Sequence, residues 1–232
     1  MPKLNGTIDR RMLINYRVDP ELVKGLLPPQ LDPIVINGYA SGGICLLRLK
    51  NIGMKYSPSV MRVTSENAAH RFLVKYKNAY HENCCGVYIP RRDTDSMLNI
   101  LVAGKIFSWP HYAARFDVEE GNGSYKVQMQ SKDLNTRLHV QASLTDKFPG
   151  DSMFGSIDHA SSAFQSCSVG ISPSNTSSQF NVIKLKTETW SVRPLQVQKL
   201  QSSFFDDTSL FPRGSIHFDH ALLMEGIAHE WS

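Results

Sequence analysis

The chain has 232 residues, 41% of them hydrophobic and 20% charged, which suits one large or two small globular domains with an ordinary core and excludes wholesale disorder. Lys and Arg number 25 against 21 Asp and Glu, a formal charge of +4. The basic residues are spread along the chain, so the concentrated basic face that phosphate binding needs is missing and no nucleic-acid partner is expected.

Strand signals dominate from the start. Arg11 to Arg17 (RMLINYR) reads as a strand. A short helix, DPELVKGLL, follows: Asp19 is its N-cap, Pro20 takes the first helical position, Glu21 suits the first turn, and Pro28 and Pro29 end it. Two apolar runs come next in PIVINGYASGGICLLRLKNI, with Asn37-Gly38 as a turn and Gly42-Gly43 as a kink or a close backbone approach. AHRFLVKYKN and CCGVYIPRR form a predicted hairpin; in the first, Phe72, Val74 and Tyr76 alternate with Arg71, Leu73, Lys75 and Lys77, giving one mainly apolar face. Asp93 or Thr94 caps a predicted helix over DSMLNILVAGK, and the SWPHY loop follows it. YAARFDVEEGNGSYKVQMQS reads as two strands about a Gly-Asn-Gly turn, RLHVQASL as another strand, SIDHASSAFQSC as a short helix, and FNVIKLKTETWSVRPLQVQKLQSSFF as strand again.

The sum is about ten strands and three short helices, a mainly β (α+β) fold in which closed or nearly closed antiparallel structure covers the edges. No repeat, heptad or linker divides the chain, so residues 1–232 are read as one domain. The first residues carry no apolar segment ahead of their charges, and the longest apolar run, near MLNILVAG, is too short for a bilayer. A cytoplasmic protein with no membrane partner is expected. Sequons at Asn5, Asn122 and Asn175 then read as turn sequences, and Cys45, Cys84, Cys85 and Cys167 as reduced, buried small side chains.

Several strings resemble known families. INYRVDPELVKGLLPPQL is similar to the strand, helix and proline exit near the start of acetoacetate decarboxylases, and GKIFSWPHY to the segment that carries their Schiff-base lysine. SENAAHR, GVYIPRRDT, SVGISP, ETW, SSFFDD and FDHALLM, in that order, resemble an uncharacterised bacterial family of unknown function within the acetoacetate decarboxylase-like superfamily. The resemblance implies a curved antiparallel sheet or cone-like β-barrel around a small central cavity. It also implies that the reactive lysine pair of the decarboxylases falls on His111 and Tyr112, neither of which can form an imine. A pocket carboxylate of the decarboxylases falls on or near Glu66, an arginine near Arg10 or Arg11, and a second glutamate near Ile44, where no acid stands.

The residues themselves supply the candidate chemistry. His111, with an unperturbed pKa near neutrality, suits proton transfer or, when charged, carboxylate binding; as a plain loop histidine it would bond backbone. Tyr112 would donate to a carbonyl oxygen or simply pack. Glu66 would exchange protons with His111, or pair locally with Arg71; His70, four residues on, would couple to it only if both point inward. Arg11, Arg91 and Arg92 are the candidates for holding a substrate carboxylate by a guanidinium fork, with a salt-bridged corner to Asp93 and Asp95 as the other reading of Arg91 and Arg92. Lys105 would be a nucleophile only if desolvated. The tail residues His217, His220, Glu225, His229 and Glu230 are metal-capable types in a spacing that fits no helix-based zinc pattern, so no metal and no cofactor is expected. These readings lead to a binder of a small organic acid or carbonyl compound, or a cofactor-free acid–base enzyme acting on one. The alternative is a non-catalytic ligand-binding or structural module. Strand edges and the superfamily's habit make a homo-oligomer part of the expectation.

Overall fold

The computed structural model describes residues 4–54, 62–78, 80–97, 100, 111–173 and 180–231. Its elements are β1 (Leu4–Val18), α1 (Pro20–Leu26), β2 (Asp32–Pro33), β3 (Val35–Ile36), β4 (Tyr39–Met54), β5 (Val63–Lys77), β6 (Asn83–Thr94), β7 (Tyr112–Gly121), β8 (Ser124–Ser131), β9 (Arg137–Leu144), α2 (Ile157–Ser166), β10 (Val169–Pro173), β11 (Phe180–Thr187), β12 (Arg193–Ser202) and β13 (Ile216–Trp231). Local chemistry explains the boundaries. Asp19 caps α1 by accepting from Glu21 N at 2.9 Å, and Ser156 caps α2 by accepting from His159 N at 3.2 Å. The β7–β8 hairpin turns through Asn122 and Gly123, both at positive φ (50° and 74°), as do Asn37 and Gly38 before β4. The helix expected over residues 95–105 lies largely outside the described residues.

All thirteen strands belong to one sheet, and its pairings close two rings. The first ring runs β6-β7-β8-β9-β12-β13-β1-β4-β5 and returns to β6. The second runs β6-β10-β11-β13-β1-β4-β5 and also returns to β6, through the β11–β13 pairing. The five strands β13, β1, β4, β5 and β6 are common to both, so each has its two faces in different interiors. Along β1, Met12, Ile14 and Tyr16 pack in the first ring with Leu46, Phe72, Val127 and Phe205. Ile8 and Leu13 pack in the second with Cys45, Leu73, Leu222 and Phe164 of α2. Burial on both faces is why these strands read as near-continuous apolar runs, LINY, ICLL and ALLM, instead of strict alternation. It also corrects the reading of β5 as a strand with one apolar face, because Arg71 and Leu73 are 2% and 1% exposed. Among the described residues no helix is long and apolar enough to cross a membrane.

Cys85 and Cys167 are not separate thiols: they form a disulfide with Cα atoms 5.1 Å apart, tying β6 to the residue that ends α2. Adjacent strand residues face opposite sides. Cys85 therefore meets Cys167 in the second ring, whereas Cys84 is free.

Candidate ligand-binding cavity

The first ring holds the larger apolar core, and the second carries a cavity of about 590 Å³ beneath α2, β10 and β11. Arg11 reaches it from β1, Arg71 from β5 and Arg92 from β6; His111, just ahead of β7, also lines it. Its apolar wall includes Ile8, Leu49, Ile52, Ile183, Trp190 and Trp231.

Arg11 and Arg71 are held by neutral partners. Arg11 places Nη1 4.0 Å from the Met224 sulfur and its guanidinium 5.7 Å from the Trp190 ring. Arg71, 2% exposed, lies 4.7 Å over the Phe164 ring and donates from Nη2 to Asn15 Oδ1. Arg92 donates to Ser172 Oγ. Burial pushes both Arg71 and Arg92 down to about 10, with the nearby Arg11 adding to the effect on Arg71 and Cys45 opposing it in both. Among the described residues Asp93 is the one carboxylate that lines the cavity, and it is engaged by Arg91 through Nε at 3.1 Å and Nη2 at 2.9 Å.

Arg71 is oriented by a buried chain of groups that the sequence did not reveal. Arginine only donates, so the oxygen of the Asn15 amide must face it, and Asn15 Nδ2 then points to Leu13 O at 3.2 Å and His220 Nε2 at 2.9 Å. His220 Nε2 must accept, which leaves its proton on Nδ1, 2.6 Å from Asp219 Oδ2. Asp219 also accepts from Ser152 Oγ at 2.7 Å and Met153 N at 2.9 Å. Burial opposes ionisation of Asp219, yet these donors hold its carboxyl below the usual range. Burial, with Arg71 nearby, keeps His220 neutral against the pull of Asp219. The adjacent Asp219 and His220 in FDHALLM were the available signal, but the sequence separation of 205 between Asn15 and His220 hid the contact.

Three of the residues expected at the site stand elsewhere. Glu66 is not among the residues that line the cavity; its carboxylate lies at the other side of β5. There it meets Arg10 Nη2 and Arg48 Nε, each at 2.5 Å, and Glu120 on β7 binds the same two arginines. Glu66 and His111 are thus not brought together as an acid–base couple. Tyr112 is 37% exposed, with Arg91 stacked 4.0 Å from its ring, and it is not among the lining residues. Arg91 forms the salt-bridged corner, with Asp93 and with Asp133 at 3.0 Å. His70 is fully buried between Phe204 and Phe205 in the first ring, and burial first, then Arg91, lowers its pKa to about 3. Lys105 lies outside the described residues. In the tail, Glu225 pairs with Arg193, His229 meets the Trp231 ring edge-on at 4.3 Å, and among the described residues no three His, Cys, Asp or Glu side chains gather into a metal-binding group.

Superposition places the fold among acetoacetate decarboxylase-like structures. The acetoacetate decarboxylase of Legionella pneumophila superposes with a TM-score of 0.60 at 13% identity, covering 100% of this chain and 84% of the other. An acetoacetate decarboxylase-like enzyme from Sphingomonas wittichii RW1 gives 0.59 at 11%, covering 98% and 89%. The enduracididine biosynthesis enzyme MppR complexed with pyruvate gives 0.57 at 11%, covering 100% and 88%. At such identities the likeness is one of fold. The chain itself belongs to the DUF2071 family, described as an uncharacterized conserved protein, whose model matches residues 6–218. No curated protein is a significant match.

Proposed function

We propose that the protein binds an organic carboxylate in the second-ring cavity, with Arg71 as the central anchor, Arg11 and Arg92 beside it, and His111 as the group available for proton transfer to a bound acid or carbonyl compound. One observation carries this reading: Arg11 and Arg71 are turned into the same cavity with no carboxylate partner among the described residues. None of the residues outside the described ones is Asp or Glu, so no further acidic side chain can supply the counter-charge. Burying cations without one is costly, and an anionic ligand that accepts from their guanidinium forks removes the cost. The pyruvate bound to MppR supports the class of ligand. The carbonyl chemistry expected of a Glu66–His111 couple loses its acid, so His111 would act with the arginines alone.

The test is calorimetric titration with pyruvate, longer carboxylates and their primary amides. Carboxylates should bind and amides should not, and Arg71→Gln should weaken carboxylate binding at least about tenfold. Equal binding of acid and amide, or an unaffected Arg71→Gln variant, would refute the proposal.

A further inference from the structure

The cavity is too large and too apolar for a small keto acid. At about 30 Å³ per water-sized group, 590 Å³ accommodates on the order of 20 such groups, and pyruvate would fill roughly a third of it. The rest has a definite character. Starting from Arg11 and moving along β1 toward Leu4, the cavity is bounded by Ile8, Leu49 and Ile52. Ile183 of β11 closes on Leu4 and Trp231 at that end. The cationic and apolar parts are contiguous. A Cβ on Gly170 would stand 3.6 Å from Arg92 Nη2 and 3.1 Å from Ile183 Cγ2. Gly170 thus leaves open the space where head and wall meet. A short acid bound at the arginines would leave this hydrocarbon wall facing water, an arrangement that apolar burial disfavours.

We infer that the ligand is an amphipathic carboxylate: its acid group sits at Arg71, Arg92 and Arg11, and its hydrocarbon part, alkyl or aryl, lies along Ile8, Leu49, Ile52, Ile183 and Trp231. This rests on the carboxylate-site reading above and adds the other half of the molecule. Elongating the ligand adds buried methylenes in the cavity, and each should tighten binding about fourfold until the wall is used up.

Trp190 and Trp231 line the cavity, so tryptophan fluorescence reports occupancy. Acetate, butanoate, hexanoate, octanoate, 4-phenylbutanoate and octanamide are titrated into the full-length protein. Affinity rising about fourfold per methylene from butanoate to octanoate, with octanamide at least about tenfold weaker than octanoate, is the expected result. A stronger response to 4-phenylbutanoate than to octanoate would assign the tail as aryl, the reverse as alkyl. Acetate or butanoate binding as tightly as octanoate would overturn the inference and leave the carboxylate site standing. Octanamide matching octanoate would overturn the carboxylate site itself, and silence toward every compound would overturn both. As a second variant, Ile183→Trp should keep acetate and lose octanoate; retention of both at wild-type affinity counts against the tail's placement.

Discussion

Asn15→Leu tests the chain of groups behind Arg71. Leucine has the same branched heavy-atom skeleton as asparagine but none of its polar atoms, and Asn15 is fully buried. The substitution leaves Arg71 Nη2 and His220 Nε2 facing hydrocarbon, and it frees Leu13 O of one contact. A hydrogen bond from a charged group contributes about 1.5–3 kcal/mol, and a buried group stripped of its partner costs about 1–3 kcal/mol. Together these predict a loss of roughly 3–5 kcal/mol, a large part of the ~5–15 kcal/mol of a typical domain. Urea unfolding at constant slope measures it. The double variant Asn15→Leu/Arg71→Met removes the stranded cation as well, and should recover at least about 1 kcal/mol relative to the single one. In the unsubstituted protein, ¹⁵N NMR should find the His220 proton on Nδ1. A loss below about 1 kcal/mol, a double variant that loses the sum of both changes, or a proton on Nε2 would refute the reasoning.

The ion cluster in the first ring gives a second expectation. Glu66→Gln withdraws one of the two carboxylates that Arg10 and Arg48 share and leaves Glu120 in place; Arg10 is 2% exposed, so stability should fall by about 1–3 kcal/mol while carboxylate affinity stays put. Lost affinity in a fully stable Glu66→Gln variant would return Glu66 to the cavity. Burial alone would raise the Glu120 pKa, but Arg10 and Arg48 hold it below the ordinary value. The folded value being the lower one, this stabilisation is complete above the ordinary carboxylate range and vanishes as pH falls through the folded pKa. Thermal unfolding of Glu120→Gln should therefore show a flatter acid limb than the parent, and an identical limb counts against the cluster. Third, a Cβ on Gly43 would meet Ile14 O at 2.5 Å and Arg71 Nη2 at 3.3 Å, so Gly43→Ala should cost about 1–3 kcal/mol and weaken carboxylate binding. Gly25→Ala in α1, with nothing within 4 Å, is the control; equal denaturation midpoints for the two would show the approach at Gly43 to be slack.

Much of the fold was legible locally. Asp19 and Pro20 announce α1, the Asn-Gly pairs place two hairpin turns, and Gly42-Gly43 marks a close approach that the structure realises against Phe72, Ile14 and Asn15. His111 was singled out by its place in the segment that resembles the reactive one, Arg11 by its place near a first-strand arginine and Arg92 by the polar cluster after a strand, and all three line the cavity. Arg71 and Asn15 were not, because inside apolar strands they look like interruptions of a face rather than members of a site.

The amino-acid order determined where turns and helix caps fall, and that neighbouring side chains alternate, since turn propensity and pleat are local properties. It left the sign of the alternation open. A strand covered on both sides has no polar edge to mark which parity faces which interior, and one step separates Glu66, paired in the first ring, from Asn67, which lines the cavity of the second. Only the closure of β11 on β13 and of β5 on β6 settled that choice, because it unites segments far apart in the chain and decides whether a given side is packed solid or left open for a ligand.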